Sequence, residues 1–376
     1  MTLLLHSWEF VRYEITKNTS WYFCCIKDDS GRDTYVEFTK GTKSDEAGRL
    51  IHEILNKFRS EDLSEEKGLE KNLGLSRRVE NGSVMAVALS SVRSAISQFR
   101  SMEKSLSLCE YLSGKAPTSI DLYANINRGL FATDRAPDDF AKAAYKAISR
   151  GFTVIKCAPF DEVTHPNPQN INGVIKGGLD RLAAVRESVG ADVEILVDCH
   201  GRFEESSSKI TASLIQSIGI GWFEEPLDPI NYPEGLARIA NEITIPLAGG
   251  ESGYGEEFFD SLAQLGSVQT IMPDIKYCGG VQEAVRIANN AHSNGINFSP
   301  HCPSGPISLL ASAHVCAALS KKVLLEHAIE EINYRDELIS PREIVRNGRI
   351  EMPTGIGLGA ALSETALKKY GEYISF

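Results

Sequence analysis

Asp198 and His200 stand two residues apart in the segment ILVDCHGRF, at the end of an apolar run that begins at Ile195. If that run is a β-strand, side chains two residues apart point to the same face of the sheet. A carboxylate supplies the oxygen ligands that hard metal ions prefer, and an imidazole can gain or lose a proton near neutral pH. The segment therefore indicates a position where metal binding and proton transfer occur side by side.

Reactive residues of this kind close successive apolar runs along the second part of the chain. From Asp198 onward the intervals are 26 (198 to 224), 27 (224 to 251), 23 (251 to 274), 27 (274 to 301) and 25 (301 to 326) residues. A βα unit takes about 30 residues, so one reactive residue recurs in each unit. The set consists of Lys156, Asp198, Glu224, Glu251, Asp274, His301 and Glu326.

The elements that position these residues are predicted to be strands that alternate with helices. Short apolar runs such as FTVIKCAP, VEILVDC and IGWFEEP are separated by amphipathic stretches such as VQEAVRIANNAHSNG, which is typical of a parallel sheet or barrel. A (β/α)8 barrel brings the carboxyl ends of its strands together at one mouth. An open doubly wound sheet would spread them along an edge. We therefore predict an α/β fold of the (β/α)8, TIM-like barrel type.

Asp198, Glu224 and Glu251 are predicted to bind a metal ion together, because they end three consecutive strands. Three carboxylates that converge on one point repel one another unless a divalent cation lies between them. Oxygen-only ligands favour Mg²⁺ over zinc. The alternative for each residue is a solvated loop acid or a helix N-cap. Glu225 follows Glu224, is expected to point the opposite way, and is not counted as a ligand.

The first part of the chain has a different pattern. The segments WYFCCIKDD and TYVEFTK are rich in β-branched and aromatic residues and are joined by the turn-forming DDSGRD, so they predict two strands. Two helical stretches follow, and the second is predicted to run from Ser83 to Gly114 without a break. The segment KAPTS, which starts at Lys115, is predicted to be a linker.

The composition excludes several classes of protein. The chain has 376 residues, of which 42% are hydrophobic and 24% charged, as in an ordinary globular protein. The net charge is −11, whereas nucleic-acid-binding proteins usually carry an excess of basic residues. The start, MTLLLHSWEF, is too short in apolar residues for a signal peptide or a membrane span. Eight cysteines without a Cys-x-x-Cys pair suit a reducing compartment, so a cytoplasmic location is expected.

Six segments in order carry a resemblance to a known family. They are similar to motifs of the enolase superfamily, mandelate racemase subgroup. In chain order they are LVDCHGR, FEEP, AGGES, MPD followed by GG, SPHCPSGPIS and LLEH. The resemblance covers the chain well from about Tyr123 to Gly359. It implies an N-terminal α+β capping domain over residues 1–118, a catalytic barrel over residues 119–358, and a C-terminal segment, 359–376, that returns to the cap.

The resemblance also implies a common first step of the reaction. A substrate carboxylate binds Mg²⁺, and a base removes the proton on the carbon next to it. His301 matches the base of the subgroup, and Asp274 matches the residue that orients its imidazole. Lys156 matches the first lysine of a Lys-x-Lys pair, where it would hold the substrate carboxylate, and Ala158 takes the place of the second. If this alignment slips, Lys156 becomes a second base instead.

The segment Asp-x-His-Gly-Arg that contains His200 resembles the galactonate dehydratase type of acid-sugar dehydratase. In that type the histidine is a general acid that protonates the departing β-hydroxyl, so His200 is expected to do so here; a partner of the metal ligand is the alternative. Glu326 matches an acid placed against the substrate carboxylate. Lys276 departs from the galactonate dehydratase pattern, and this departure leaves the identity of the substrate open.

Further substrate contacts are predicted for four residues. Lys276 lies two residues after Asp274, so its side chain is expected to point to the same side and to face the cavity. Asn125 and Asn127 follow the first barrel strand and are expected to bind a polyol. Trp21 is a candidate lid residue, with ordinary burial in a strand as the alternative. His165, in the loop after the Lys156 strand, is more simply a surface residue.

Three functions remain open at this stage. The first is dehydration of an aldonic or aldaric acid to a 2-keto-3-deoxy acid. The second is racemisation or epimerisation of a 2-hydroxy or related carboxylate through the same intermediate. It needs a second base on the opposite face of the substrate, for which His200 and a shifted Lys156 are the candidates. The third is a catalytically silent metal-binding scaffold, because a fold alone never fixes function. The expected partner is a small carboxylate, and a homo-oligomer is expected by family analogy only.

Overall fold

The computed structural model describes residues 2–59, 61–63, 66, 69–75, 78–164 and 170–376. The strands are β1 (Leu5–Thr16), β2 (Thr19–Asp28), β3 (Asp33–Glu37), β4 (Ser119–Asn125), β5 (Val154–Cys157), β6 (Glu194–Asp198), β7 (Ile220–Glu224), β8 (Leu247–Gly249), β9 (Thr270–Ile271), β10 (Asn297–Phe298), β11 (Leu325–Ala328), β12 (Ile339–Ser340), β13 (Val345–Arg346), β14 (Arg349–Glu351), β15 (Ala361–Leu362) and β16 (Gly371–Ile374). The α-helices are α1 (Ser44–Lys57), α2 (Leu69–Asn72), α3 (Val84–Glu103), α4 (Leu108–Ser113), α5 (Pro137–Ser149), α6 (Ile171–Val174), α7 (Lys176–Val189), α8 (Glu205–Ile215), α9 (Pro233–Ala240), α10 (Glu256–Leu265), α11 (Val281–Ser293), α12 (Pro306–Ala318) and α13 (Glu364–Tyr370). Short 3-10 helices cover Gly41–Lys43, Gly129–Ala132, Gln216–Ile218 and Arg335–Leu338.

The N-terminal strands form an antiparallel sheet in the order β16-β1-β2-β3. The last strand of the chain, β16, pairs with β1 at the edge of this sheet, with Phe10 opposite Ile374. One face of the sheet packs on α1 and α3, where Phe10 and Phe38 meet the ring of Phe376 at centroid distances of 4.9 Å and 6.4 Å. The C-terminal end of the chain therefore completes the core of the N-terminal sheet.

The strands β4 to β11 are parallel, and helices connect them. Their hydrogen-bonded order is β10-β9-β8-β7-β6-β5-β4, and β11 pairs with β4 on its free side. The predicted alternation of strands and helices is confirmed. Among the described residues no ladder is assigned between β10 and β11. The two ends of the sheet still meet there, because the Ser299 hydroxyl donates to the Leu324 carbonyl at 2.8 Å and the Glu326 amide donates to the Pro300 carbonyl at 3.4 Å.

Alternate residues of the parallel strands form two separate cores. One set faces the surrounding helices and belongs to the large core of the molecule. The other set forms a small cluster of its own, consisting of Tyr123, Val154, Leu196, Trp222, Ala248 and Met272. Because side chains alternate between the two faces of a strand, this second cluster fills the concave side of the sheet beneath the carboxyl ends of its strands.

The helical stretch predicted from Ser83 to Gly114 is two helices, so that prediction was wrong in its extent. Helix α3 ends at Glu103, and Ser105 then adopts a left-handed conformation with φ of 56°. Ser107 caps α4, because its hydroxyl accepts from the Glu110 amide while the Glu110 carboxylate accepts from the Ser107 amide. This reciprocal cap satisfies the free amides of a new helix start and explains the break.

No helix in the described part of the chain is long and apolar enough to cross a membrane.

Candidate active site

Five of the seven predicted reactive residues lie at the carboxyl ends of the parallel strands or directly after them. Asp198 and Glu224 are the last residues of β6 and β7 and lie directly opposite each other in the ladder. Glu251, Asp274 and His301 follow β8, β9 and β10 by two or three residues. Two further predicted residues, Lys156 and Glu326, lie inside β5 and β11 rather than at the strand ends.

A cavity of about 990 Å³ opens above these strand ends and is closed on one side by the N-terminal sheet. Its lining includes Asp198, His200, Glu251, Lys276 and His301 from the parallel strands and their loops. Residues of the segments 14–22 and 39–42 cover it from the side of the N-terminal sheet. The elements of the two parts of the chain therefore form one site together.

Each of the three predicted metal ligands is paired with a basic side chain. Asp198 Oδ2 lies 3.1 Å from His200 Nε2, and Glu251 Oε2 lies 3.0 Å from His301 Nε2. Glu224 Oε1 accepts from Lys156 Nζ at 2.8 Å, and its other oxygen accepts from the Trp222 indole at 3.0 Å. With the side chains in these ion pairs, no group of three or more His, Cys, Asp or Glu among the described residues is arranged to hold a metal ion.

The charges of this cluster nevertheless fit a cation. Burial raises the pKa of Glu224 to about 8; Lys156 opposes the shift, and repulsion from Asp198 and Glu326 adds to it. The repulsion shows that further carboxylates lie close to Glu224, so a cation bound among them would be attracted by more than one negative charge. The donors are all carboxylate oxygens, which suits a hard divalent ion such as Mg²⁺. The donor set therefore fits Mg²⁺, and binding requires the carboxylates to exchange their present basic partners for the ion.

Lys156 is fully buried and bridges two carboxylates. Its Nζ lies 2.8 Å from Glu224 Oε1 and 2.9 Å from Glu326 Oε1, above the ring of Tyr123. Burial alone lowers the pKa of a lysine, but the two carboxylates outweigh it and raise the pKa of Lys156 well above its usual value. Lys156 is not part of the cavity lining, whereas Ala158, two residues later, is.

Asp274, His301 and Lys276 form a compact group beside the cavity. Asp274 Oδ2 lies 3.0 Å from His301 Nδ1 and accepts from Lys276 Nζ at 2.6 Å. Burial opposes ionisation of Asp274, but Lys276 and His301 outweigh it and hold its pKa at about 2. Burial likewise disfavours the charged form of His301, but Glu251 and the other nearby carboxylates raise its pKa to about 9. The Lys276 ammonium also bonds the Ser304 hydroxyl in the loop after His301.

His200 lines the cavity from a turn that follows β6. The prediction had placed it on the strand itself, on the same face as Asp198. Strand β6 ends at Asp198, and His200 and Gly201 both adopt left-handed conformations, with φ of 51° and 67°. A positive φ costs a non-glycine residue energy and often marks a functional position. The amide of His200 donates to Asp198 Oδ1 at 3.0 Å, which closes the turn. Nearly half of its side chain, 47%, stays exposed.

The other predicted substrate contacts lie at the cavity wall but are engaged within the protein. The Asn125 amide nitrogen donates to Glu326 Oε1 at 2.6 Å, and the Asn127 side-chain oxygen accepts from the Ala158 amide at 2.6 Å. Trp21 lies in β2 and is only 1% exposed, so nearly all of its side chain is buried in the protein, as the alternative prediction states. His165 lies outside the described residues.

The sequence reasoning missed two residues of the N-terminal part that act at this site. Glu37, at the end of β3, accepts from the amides of Gly305 and Ser308 at 2.9 Å and 3.1 Å. It thereby holds the start of α12, directly after the loop that carries His301. Lys40 lines the cavity from the next loop. No local signal identifies either residue, because their contacts are with segments more than 200 residues away.

Comparisons with known proteins agree with this geometry. Residues 139–366 match the family described as "Enolase C-terminal domain-like". The chain is 31% identical over 192 residues to an arabinonate dehydratase of Saccharolobus solfataricus, covering 51% of each chain. It is 24% identical over 359 residues to a D-galactonate dehydratase of Xanthomonas campestris, covering 94% of this chain and 91% of the relative. The arabinonate dehydratase match therefore spans about half of that relative's length.

The fold is also shared with solved structures. A member of the enolase superfamily from Salmonella Typhimurium superposes with a TM-score of 0.84 at 23% identity, over 98% of this chain and all of that chain. The likeness extends over both the N-terminal sheet and the parallel strands, because nearly the whole chain is covered.

Proposed function

The chain belongs to the enolase C-terminal domain-like family, and from that premise we propose that it is a Mg²⁺-dependent dehydratase of an acid sugar. The substrate is an aldonic or aldaric acid, and the product is a 2-keto-3-deoxy acid. The observation that carries the proposal is the pair of His301 and Asp274, 3.0 Å apart. His301 lines one cavity together with His200 and two of the predicted metal ligands, Asp198 and Glu251. Dehydratases among the similar proteins support the same reaction class.

In the first step His301 acts as the base. The C2–H bond of the substrate breaks, the proton passes to Nε2, and the electron pair enters the carboxylate group as an enediolate. Asp274 holds Nδ1 on the opposite side of the ring and fixes the orientation of the imidazole. Nε2 must be free to accept the proton, so the ion pair with Glu251 must open and the imidazole, whose pKa is raised to about 9, must be in its neutral form before catalysis.

In the second step His200 acts as the general acid. The C3–O bond breaks, the enediolate electrons form the C2–C3 double bond, and the hydroxyl leaves as water with the proton of His200. The resulting enol tautomerises to the 2-keto acid. Hydroxide is a poor leaving group near neutral pH, and a positioned acid contributes roughly 10²- to 10⁴-fold to such a step. The left-handed turn supports this role by directing the imidazole toward the cavity.

Asp198, Glu224 and Glu251 are the residues proposed to hold Mg²⁺. When bound, the ion would supply positive charge that stabilises the negative charge developing on the substrate carboxylate. Lys156 lies beneath this site and neutralises part of the charge of Glu224 and Glu326. We propose that its role is to sustain the buried carboxylates, in place of the direct contact with substrate expected from the sequence.

Ala158 favours dehydration over racemisation. A racemase needs a second base on the opposite face of the substrate, and the residue that lines the cavity directly after β5, Ala158, carries only a methyl group. Lys156, the alternative base, is fully buried and bonded to two carboxylates. His301 as the base and His200 as the acid are the two groups that an elimination requires.

The domain organisation that goes with this function is also proposed. Residues 119–358 form a closed (β/α)8-type barrel, which the contacts between the ends of β10 and β11 support. Residues 1–118 form the cap, and residues 359–376 complete it through β16. A cytoplasmic location is proposed because all eight cysteines are free thiols. A homo-oligomer remains a prediction from family analogy.

A proton NMR screen in D₂O with Mg²⁺ and a library of aldonic and aldaric acids tests the function. We expect loss of water and the signals of a 2-keto-3-deoxy acid from at least one acid. His200→Asn is expected to keep exchange of the α-proton for deuterium while elimination falls. Epimer formation without water loss would replace the proposal by a racemase. Equal loss of exchange and elimination in His200→Asn would contradict its role as the acid.

A further inference from the structure

We propose that Lys40, in the loop between β3 and α1, binds a second anionic group at the far end of the substrate, so that diacids are preferred to monoacids. The inference rests on the dehydratase function proposed above and narrows its substrates from acid sugars in general to aldaric acids. It follows from the position of the Lys40 ammonium, from the absence of a carboxylate paired with it among the described residues, and from the pairing of two other cations of the cavity.

Lys40 belongs to the same cavity as the proposed catalytic residues. It lines the cavity together with Asp198, Glu251 and His301, but from the side of the N-terminal sheet. Its Nζ lies 4.2 Å from the ring centroid of Tyr277. The cavity therefore has the predicted metal ligands at the strand ends and the Lys40 ammonium on its cover.

The loop that carries Lys40 is held in place by bonds at both ends of the residue. The hydroxyl of Tyr277 donates to the Thr39 carbonyl at 3.0 Å, which ties the loop to the segment after β9. The Lys40 amide donates to the Ser44 hydroxyl at 2.8 Å at the start of α1. A preorganised cation of this kind costs little ordering entropy when an anion binds.

Within the described part of the chain no carboxylate is hydrogen-bonded to the Lys40 ammonium, because Asp274 and Glu251 act on it through their charges alone. Two other cations of the same cavity, Arg135 and Lys276, are paired with carboxylates. Arg135 Nε lies 2.6 Å from Asp161 Oδ2, and Lys276 Nζ lies 2.6 Å from Asp274 Oδ2. The positive charge of Lys40 is therefore available to a ligand, whereas these neighbours are already neutralised.

Lys40 is also partly withdrawn from water. Burial lowers its pKa, and Lys276 lowers it further, while Asp274 and Glu251 oppose the shift without cancelling it. A partly buried ammonium without a partner lacks both full hydration and a counter-charge. A hydroxyl group of a substrate cannot neutralise it, but a carboxylate can. An aldonic acid ends in a primary alcohol and an aldaric acid ends in a carboxylate, so this position discriminates between the two.

Lys17 provides the matched control. It lines the same cavity from the hairpin between β1 and β2, and it is exposed. An exposed lysine is fully hydrated, and its charge is screened by salt, so it contributes little to binding. Lys17→Met removes the same charge as Lys40→Met from the rim of the same cavity. The comparison therefore separates a direct contact of Lys40 with the ligand from the long-range effect of removing one positive charge.

The experiment measures dissociation constants by calorimetry, with Mg²⁺, for two matched pairs: galactarate with galactonate, and glucarate with gluconate. In the wild-type protein we expect at least one diacid to bind more than about tenfold more tightly than its monoacid, since a charged hydrogen bond changes affinity by roughly 10- to 100-fold. Lys40→Met is expected to remove this difference and leave the monoacid constants unchanged. Lys40→Gln should behave as Lys40→Met does, and Lys17→Met should behave as the wild type.

The outcomes separate this inference from the proposed function. Equal binding of diacid and monoacid by the wild type, no binding of either, or equal weakening of both in Lys40→Met would each overturn the role of Lys40. Diacid binding that depends on Lys40 without turnover in the NMR assay would uphold the anion site and reject dehydration. Turnover of monoacids and diacids at equal efficiency in both proteins would uphold dehydration and reject the anion site. The melting temperature of each variant controls for folding.

Discussion

His314 is predicted to make the protein sensitive to acid. It lies in α12 and is 1% exposed. Its Nδ1 accepts from the Cys109 amide at 3.1 Å, so the ring hydrogen must be on Nε2, which lies 3.1 Å from the Leu358 carbonyl. The ring thus joins α4, α12 and the segment before β15 only when it is neutral. Burial lowers its pKa to about 4, although the bond to the Leu358 carbonyl opposes the shift.

The sign and size of the effect follow from proton linkage. The folded pKa of His314 lies below the unfolded value of about 6.5, so between these values the unfolded chain binds the extra proton. The stabilisation is complete above the unfolded pKa and is lost as pH falls through the folded pKa. A shift of about 2.5 pKa units corresponds to about 3 kcal/mol in total, of which about 2 kcal/mol is lost between pH 7.5 and pH 5.0.

The assay compares the wild type with His314→Gln. Glutamine offers an oxygen to the Cys109 amide and an N–H to the Leu358 carbonyl, but it does not titrate. The opening free energy of α12 is measured by hydrogen exchange at pH 7.5 and pH 5.0. We expect the wild type to lose about 2 kcal/mol more than the variant over this interval. Equal losses in the two proteins would refute the reasoning, because other titrating groups are common to both.

Three further predictions concern the proposed site. His301→Asn is expected to abolish exchange of the substrate α-proton in D₂O, and Asp274→Asn to slow it by roughly 10²-fold or more; undiminished exchange in His301→Asn would reject it as the base. Lys156→Met leaves the buried carboxylates of Glu224 and Glu326 without their cation and is expected to lower the free energy of unfolding by about 3–5 kcal/mol. Denaturation in urea measures this, and full stability in the variant would contradict the structural role. Mg²⁺ is expected to stabilise the protein by about 2.7 kcal/mol at 100 times its dissociation constant; a thermal shift of equal size in Glu224→Gln would contradict the ligand assignment.

The N-terminal part of the site shows where sequence patterns stop being informative. Glu37 lies at the end of a predicted strand, and nothing in that strand indicates a bond to the amides of Gly305 and Ser308. Lys40 follows in a loop with the ordinary composition of a surface turn. Loops that come together from distant parts of a chain leave no periodic signal in either segment, so their contacts have to be seen in three dimensions.

The sequence by itself determined the order of the strands and helices and the positions of the reactive residues. Both are local properties, because strand alternation and the length of a βα unit fix where a side chain falls. Asp198 and Glu224 accordingly end neighbouring strands, and the six motifs in order identified the family. The same local rules failed where a turn intervened, because His200 enters the cavity through a left-handed backbone instead of strand parity.

Only the tertiary structure decided depth, partners and charge balance. Lys156 and Glu326 were predicted at strand ends, but packing of the strands places both within the sheet, 2.9 Å apart and fully buried. The C-terminal strand pairs with the first strand of the chain, across a separation that no local pattern encodes. Ion pairs and burial depend on which segments meet, and that is set by the packing of the whole chain. The types of reactive residue at this site could therefore be predicted from the sequence, whereas their ion pairs and burial depend on the tertiary fold.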